Sequence, residues 1–224
     1  MLLNCLFSSR CACCQALINH NHSLCNNCLV DFPFFSPSQN NLLLRPDVKR
    51  AISLKYCNGL FACGWYQGWL QDWLSKYKFH KRTYLKQLLI QLIRYQMQRF
   101  WQNGGFIPDI YFFIPLSQTR YVARGYNQVT QTWLPALPTG SQVSQDLVRN
   151  KITKPQSQLS KTERRRNVKN AFCLSTNIQG KKVAIIDDVV TTGSTMDVAA
   201  HACLQAGAAQ VWAFATSLTP LNSK

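Results

Sequence analysis

One stretch constrains the fold of this chain more than any other: Val183-Ala184-Ile185-Ile186-Asp187-Asp188-Val189-Val190-Thr191-Thr192-Gly193-Ser194-Thr195. It opens with four apolar residues, mostly β-branched, as in a strand buried on both faces of a parallel sheet. The paired carboxylates are expected where that strand ends, and a loop of hydroxyl residues around Gly193 follows. The pattern then changes period: Met196, Ala199, Ala200, Cys203 and Gly207 keep helical spacing. Strand, acidic pair, small polar loop and helix together make an anion site, because loop amides and a helix N-terminus both favour phosphate. Gly193 lets the backbone approach closely, and Thr191, Thr192, Ser194 and Thr195 add hydroxyl donors. Asp187 and Asp188 can accept hydrogen bonds from sugar hydroxyls, directly or through a Mg²⁺ that keeps most of its waters. Sugar hydroxyls beside a phosphate describe a ribose 5-phosphate. The bland alternative is a strand that ends in solvated acids and a turn.

The chain's 224 residues leave room for one sizeable core and a small appendage, and a hydrophobic content of 46% excludes a disordered chain. Against 9 Asp and Glu stand 25 Lys and Arg, a net charge of +16. Such a charge exceeds the roughly 2–8 that suffices for solubility, and the basic residues cluster, which points to a polyanion partner. No apolar run reaches the length of a membrane helix, so no membrane insertion is expected. The apolar start, Met1 to Phe7, is too short for a secretory signal. A cytoplasmic location is the expectation, and there paired cysteines more often mean metal than disulfide.

Cys11-x-x-Cys14 and Cys25-x-x-Cys28 are two knuckle-like pairs with ten residues between them. That spacing suits a closed tetrahedral Cys₄ zinc site, structural and not catalytic. Cys13, His20 and His22 lie close enough to replace one ligand. Residues 31–50, with Pro33, Pro37 and Pro46, read as a linker. The expected organisation is therefore a zinc-ribbon or knuckle module with its linker over residues 1–45 and one α/β domain over residues 46–224.

Within that domain Leu60 to Tyr66 reads as a strand, and Trp69, Leu70, Trp73, Leu74 and Tyr77 keep the spacing of a helix. These aromatics read as core, with a base-stacking platform as the alternative. Lys76 to Arg82 forms a basic knot that includes Lys78, Lys81 and Arg82: either a solvated helix end or a contact to phosphate or single strands. A second helix is expected from Tyr84 to about Trp101, with Leu85, Leu88, Leu89, Leu92, Ile93 and Met97 facing inward. Asp109 to Leu116 reads as another buried strand. It leads into a basic loop whose Arg120 and Arg124 can present planar forks to phosphate oxygens. Asp146 to Arg149 reads as a short strand, followed by the most basic stretch, with Arg164, Arg165 and Arg166. Gln210 to Ser217 reads as the last strand.

Residues 185–195 resemble the phosphoribosyl-pyrophosphate signature of type I phosphoribosyltransferases. The resemblance implies that Asp187 and Asp188 hold the ribose hydroxyls as the candidate catalytic pair, and that Thr191 to Thr195 hold the 5-phosphate. It also implies Mg²⁺ bound together with phosphoribosyl pyrophosphate. Lys78-Phe79-His80-Lys81-Arg82, Ile114-Pro115-Leu116 through Arg124-Gly125-Tyr126-Asn127-Gln128, and Gln156 to Ser160 with Arg164 to Phe172 extend the likeness. With the N-terminal cysteine pairs, they resemble the ComF / GntX family of competence proteins. That family implies a type I phosphoribosyltransferase-like fold, a parallel-rich sheet flanked by helices, with a small zinc-binding module. It implies a role in DNA uptake during natural transformation, on the cytoplasmic side. The implied partners are single-stranded DNA and the uptake machinery, a helicase and membrane channel included. One departure concerns catalysis. Purine members often place a carboxylate three residues after the acidic pair, and here that position is Thr191.

Three functions are compatible with these residues. The first is a DNA-uptake factor that binds single strands and carries a ribose-phosphate pocket. The second is an active phosphoribosyltransferase of unknown acceptor. The third is a regulator that senses phosphoribosyl pyrophosphate and binds duplex DNA; the lack of a helix-turn-helix pattern favours the first over it.

Overall fold

The computed structural model describes residues 9–19, 22–79, 82, 84–116, 125–149 and 172–221. The apolar run from Val183 lies in the middle of a five-stranded sheet, as strand β8 in chain order. The strands of that sheet are β3 (Gly59–Trp65), β4 (Ile110–Phe113), β5 (Val143–Ser144), β8 (Lys182–Val190) and β9 (Gln210–Leu218). Their order is β3-β9-β8-β4-β5, and every neighbouring pair is parallel. Val183, Ala184, Ile185 and Ile186 are fully buried, as their composition requires.

Helices cover both faces. On one, α2 (Pro46–Ala51) and α6 (Ser194–Gln205) pack on Val183, Ile185, Ala213 and Ala215. On the other, α4 (Leu85–Gln102) and α5 (Gln128–Trp133) pack on Ala184, Ile186 and Phe214. A third cluster joins the N-terminal residues Cys11, Leu24, Leu29 and Phe32 to α3 (Gly68–Phe79) and to α4. The N-terminal module itself is a short antiparallel pair, β1 (Ser9–Arg10) with β2 (Leu17–Ile18), followed by α1 (Asn26–Val30). This is a parallel-sheet phosphoribosyltransferase-like fold with a small cysteine-bearing module. The antiparallel pair β6 (Leu147–Arg149) and β7 (Phe172–Leu174) stands apart from the main sheet.

The structure differs from the sequence reading at three points. Strand β8 does not end at the acids. It continues to Val190, because β9 stays paired with it at Asp187↔Ala215, Val189↔Ser217 and Val190↔Leu218. The linker-like stretch is packed: Phe32, Phe35, Leu42 and Val48 are buried, and α2 lies within it. Among the helix aromatics, Trp73 and Tyr77 are core, whereas Trp69 is half exposed and Phe79 mostly exposed.

Candidate functional site

The N-terminal cysteines converge. The ligand atoms of Cys11, Cys14, Cys25 and Cys28 all lie within 4.8 Å of one another, and Cys14 Sγ is 3.7 Å from Cys25 Sγ. A zinc tetrahedron with Zn–S bonds of about 2.3 Å has edges of about 3.8 Å, so these four thiols have the spacing to hold it. Cys13 and His22 are not part of the cluster among the described residues, and His20 lies outside them. Backbone amides point at the sulfurs: Cys25 N donates to Cys11 Sγ and Cys28 N to Cys25 Sγ, both at 3.4 Å. Burial raises the Cys11 thiol, but hydrogen bonds from the backbone of Cys14, Cys25 and Cys13 bring it down to about 6. Cys28 is pushed up instead, first by its hydrogen bonds with Cys14 and Cys25. Thiols this close share protons until a cation replaces them. Gln91 of α4 fastens the module to the domain: its Oε1 accepts from Ser23 N (2.9 Å) and Leu24 N (3.1 Å), and its Nε2 donates to Leu24 O (3.1 Å).

The second site lies at the carboxyl ends of the parallel strands, where open α/β sheets bind ligands. A cleft of about 580 Å³ is lined there by Tyr66 after β3, Ile114, Pro115 and Leu116 after β4, and Thr219 after β9. Asp187 and Asp188 form its floor, with Lys78, Gln128, Thr191 and Thr195 around them.

Successive strand residues face opposite sides, so β8 sends its two acids to different neighbours. Asp188 follows Ala184 and Ile186 toward the face covered by α4 and α5, whereas Asp187 follows Val183 and Ile185 toward the face of α6. Asp188 Oδ2 receives Lys78 Nζ at 2.9 Å and Gln128 Nε2 at 2.7 Å, and Asp188 Oδ1 accepts from Val189 N at 2.6 Å. Both members of the ion pair are nearly buried, with side chains 11% and 10% exposed. Burial alone would raise Asp188, but the Lys78 charge and the hydrogen bonds from Gln128 and Lys78 hold it below the ordinary carboxylate range. Lys78 is paired with Asp188, and its charge offsets the rise of Asp187 only in part. Burial first, and the negative charge of Asp188 second, push it up to about 8. The two neighbouring acids are therefore pushed in opposite directions, Asp188 toward its charged form and Asp187 toward its protonated form.

The loop after β8 has the shape its residues suggest. Gly193 adopts φ +87°, and a Cβ there would lie 2.7 Å from the Ser53 carbonyl, so both conformation and space require glycine. Ser53 N donates to Thr192 O at 3.1 Å, anchoring the loop. Helix α6 starts at Ser194 with no side chain on Gly193 to cap it; Ser194 N donates to Thr192 Oγ1 at 3.4 Å, and the amides that follow in the first turn have no intrahelical acceptor. Asp197 does not cap it, because its carboxylate accepts from the amides of Lys55 and Tyr56. Thr191 and Thr195 line the cleft; Thr192 and Ser194 are exposed beside it and bonded to each other.

Of the proposed polyanion contacts, Lys78 faces the cleft and Arg82 is exposed. Lys81, Arg120, Arg124, Arg164, Arg165 and Arg166 lie outside the described residues. Gln128 and Thr219 are site residues that sequence reasoning did not single out. Gln128 stands within the Arg124 to Gln128 string, but only the fold sets it against Asp188.

With that geometry in view, similarity to known proteins becomes informative. A family model described as phosphoribosyl transferase domain matches residues 135–221. The DNA utilization protein YhgH of Salmonella typhimurium is 31% identical over 214 residues, covering 93% of this chain and 90% of the relative. The chain belongs to the ComF family. Competence protein F of Haemophilus influenzae is 26% identical over 218 residues, covering 92% of this chain and 89% of that protein. The DNA utilization protein YhgH of Escherichia coli O157:H7 is 36% identical over 150 residues, and the chain spans 64% of its length. The ComF chain described here thus joins a phosphoribosyltransferase-like domain to a four-cysteine cluster able to hold a structural metal such as zinc. Among the described residues no helix is long and apolar enough to cross a membrane.

Proposed function

We propose that this ComF protein handles incoming DNA in natural transformation, on the cytoplasmic side, binding single strands on its basic surface and a ribose phosphate in its cleft. The observation that carries the DNA role is the match along 93% of the chain to a relative named for DNA utilization. The charge supports it: 9 carboxylates cannot neutralise 25 cations, and Arg82 at the rim beyond α3 is exposed. Because the cations contact phosphates, strand binding should weaken steeply with salt, by orders of magnitude over a few-fold rise when about six to ten phosphates are engaged. A titration of fluorescent single strands at several salt concentrations measures the slope, and a flat response removes this part of the reading.

The ribose-phosphate reading rests on how the cleft residues divide the work. The amides of the Thr191 to Thr195 turn and the open first turn of α6 grip the phosphate. Asp188, held charged by Lys78 and Gln128, accepts from a sugar hydroxyl through its remaining lone pairs. Asp187, pushed toward its protonated form, can donate as well as accept when it holds its proton. Zinc in the Cys11, Cys14, Cys25 and Cys28 cluster supplies folding energy, not chemistry. Mg²⁺ suits this site only in company with the ligand: Lys78 already neutralises Asp188, and Mg²⁺ commonly binds through few carboxylates plus substrate oxygens. Titration with ribose 5-phosphate tests the pocket directly, and absence of binding with and without Mg²⁺ eliminates it.

A second reading, an active phosphoribosyltransferase, is favoured by one feature: two adjacent acids in the cleft are pushed in opposite directions, Asp187 raised and Asp188 lowered. Pyrophosphate exchange, abolished by Asp188→Asn, is its test; no exchange with any nucleobase removes it.

A further inference from the structure

Among the described residues, the buried side-chain polar atoms without a hydrogen-bond partner are Asn40 Oδ1, Gln128 Oε1 and Thr219 Oγ1. Gln128 and Thr219 line the one cleft described above, and they are 4% and 8% exposed. Buried polar atoms are almost always paired, so two unpaired atoms on one cavity wall mark a place that a ligand completes.

The Gln128 amide cannot turn to relieve itself. Its Nε2 donates to Asp188 Oδ2 at 2.7 Å, and a flip would set two oxygens against each other. Its position is fixed as well, at the first residue of α5, whose cap is the Asn127 side chain accepting from Val129 N. The free Oε1 is therefore an acceptor only, and it demands an O–H or N–H donor next to Asp188. Thr219 is held by its own backbone, with Thr219 N donating to Val190 O at 2.9 Å, so its hydroxyl stays at the cleft wall.

The sheet geometry says which part of a sugar phosphate meets Gln128. The turn leads into α6 on one face of the sheet and Gln128 opens α5 on the other, so the donor to Gln128 sits across the cleft from the phosphate. In ribose 5-phosphate the 2-hydroxyl is the member of the diol farther from the phosphorus. We propose that Gln128 is a specificity-determining residue: its Oε1 accepts a hydrogen bond from the ribose 2-hydroxyl and makes the cleft choose ribose over 2-deoxyribose. A site built to bond a hydroxyl rejects the analogue that lacks it, because its buried acceptor is left dry and unpaired. This hydroxyl is also what separates RNA-type sugars from DNA-type sugars. The sugars of a DNA strand are thus refused by the pocket, and a bound strand must lie outside it.

The inference rests on the ribose-phosphate reading, and calorimetric titration of the whole chain separates the two. Ribose 5-phosphate should bind tighter than 2-deoxyribose 5-phosphate by roughly 5- to 150-fold, the factor for leaving one buried acceptor unpaired. Gln128→Met, of similar volume without the acceptor, should bring the ratio close to one mainly by weakening ribose 5-phosphate. Thr219→Val should weaken both sugars and keep the ratio. Equal binding of both sugars by the unmodified chain overturns the inference and leaves the ribose-phosphate reading standing. Binding of neither overturns both. Because Asp187 and Asp188 also face sugar hydroxyls, a ratio that survives Gln128→Met, or Gln128→Leu where the first variant fails to fold, overturns the assignment to Gln128.

Discussion

The cysteine cluster and the sheet-end cleft both gather polar groups that a protein interior tolerates poorly, yet they resolve the problem in opposite ways. In the cluster every group turns inward. Four sulfurs face one another, amides point at them, and Gln91 answers the Ser23 and Leu24 backbone from outside. In the cleft the groups are only partly answered. Lys78 and Gln128 satisfy Asp188, but Gln128 Oε1 and Thr219 Oγ1 are left open. The difference teaches what each arrangement is suited to: groups that answer one another suit a closed structural site, and acceptors left unpaired on a cavity wall suit a ligand from outside the chain.

The comparison is broken most severely by removing its metal half. Cys25→Ser, or chelation of the zinc we propose, should unfold residues 9–32, since this short module has little core of its own. Trp73 stacks on Phe32 with ring centroids 5.8 Å apart, so a change in tryptophan fluorescence reports the loss. Next in size is Lys78→Met, which strands a buried carboxylate. It should cost about 3–5 kcal/mol in urea unfolding. A cost below about 1 kcal/mol would show that the ion pair is solvated and that the cleft is not the low-dielectric site described. Smaller again is Gln91→Leu, which leaves two amides and a carbonyl of the module unanswered. A loss of about 1–3 kcal/mol is expected, with no change in ligand binding at the cleft.

The last effect depends on pH and concerns the two acids. Asp187 is raised in the folded protein, so its proton stabilises the fold at low pH, and that stability is lost as pH rises from the ordinary carboxylate range to about 8. Asp188 is lowered, and its contribution runs the other way, present above the carboxylate range and lost in acid. Asp187→Asn should therefore raise the Tm by a few degrees at pH 9 and leave it nearly unchanged near pH 4. Equal shifts at both pH values would mean that the two acids are equivalent after all.

Their non-equivalence marks the limit of sequence reading here. The run from Val183, the glycine turn and the helix after it were legible, because local pattern and chemistry agree there. The cysteine pairs were legible from spacing. The split between Asp187 and Asp188 was not, since it needs to be known that Lys78 and Gln128 arrive on one face only. Gln128 carries no periodicity of its own, and its role arises from contact with a distant strand. Strands β5 and β7 were missed because two or three residues are too short to show alternation. The extension of β8 past its acids was missed because carboxylates disfavour strands, and only the equally long β9 overrides that preference.

Helix α3 serves both sites. Leu70, Trp73, Leu74 and Tyr77 form the floor on which the N-terminal residues Leu24, Leu29 and Phe32 rest, and the next residue along, Lys78, is the counter-ion of Asp188. Trimming the first three dozen residues to obtain a tidier fragment would therefore bare a greasy helix and loosen the very lysine under study. Any assay of this pocket is best run on the uncut polypeptide.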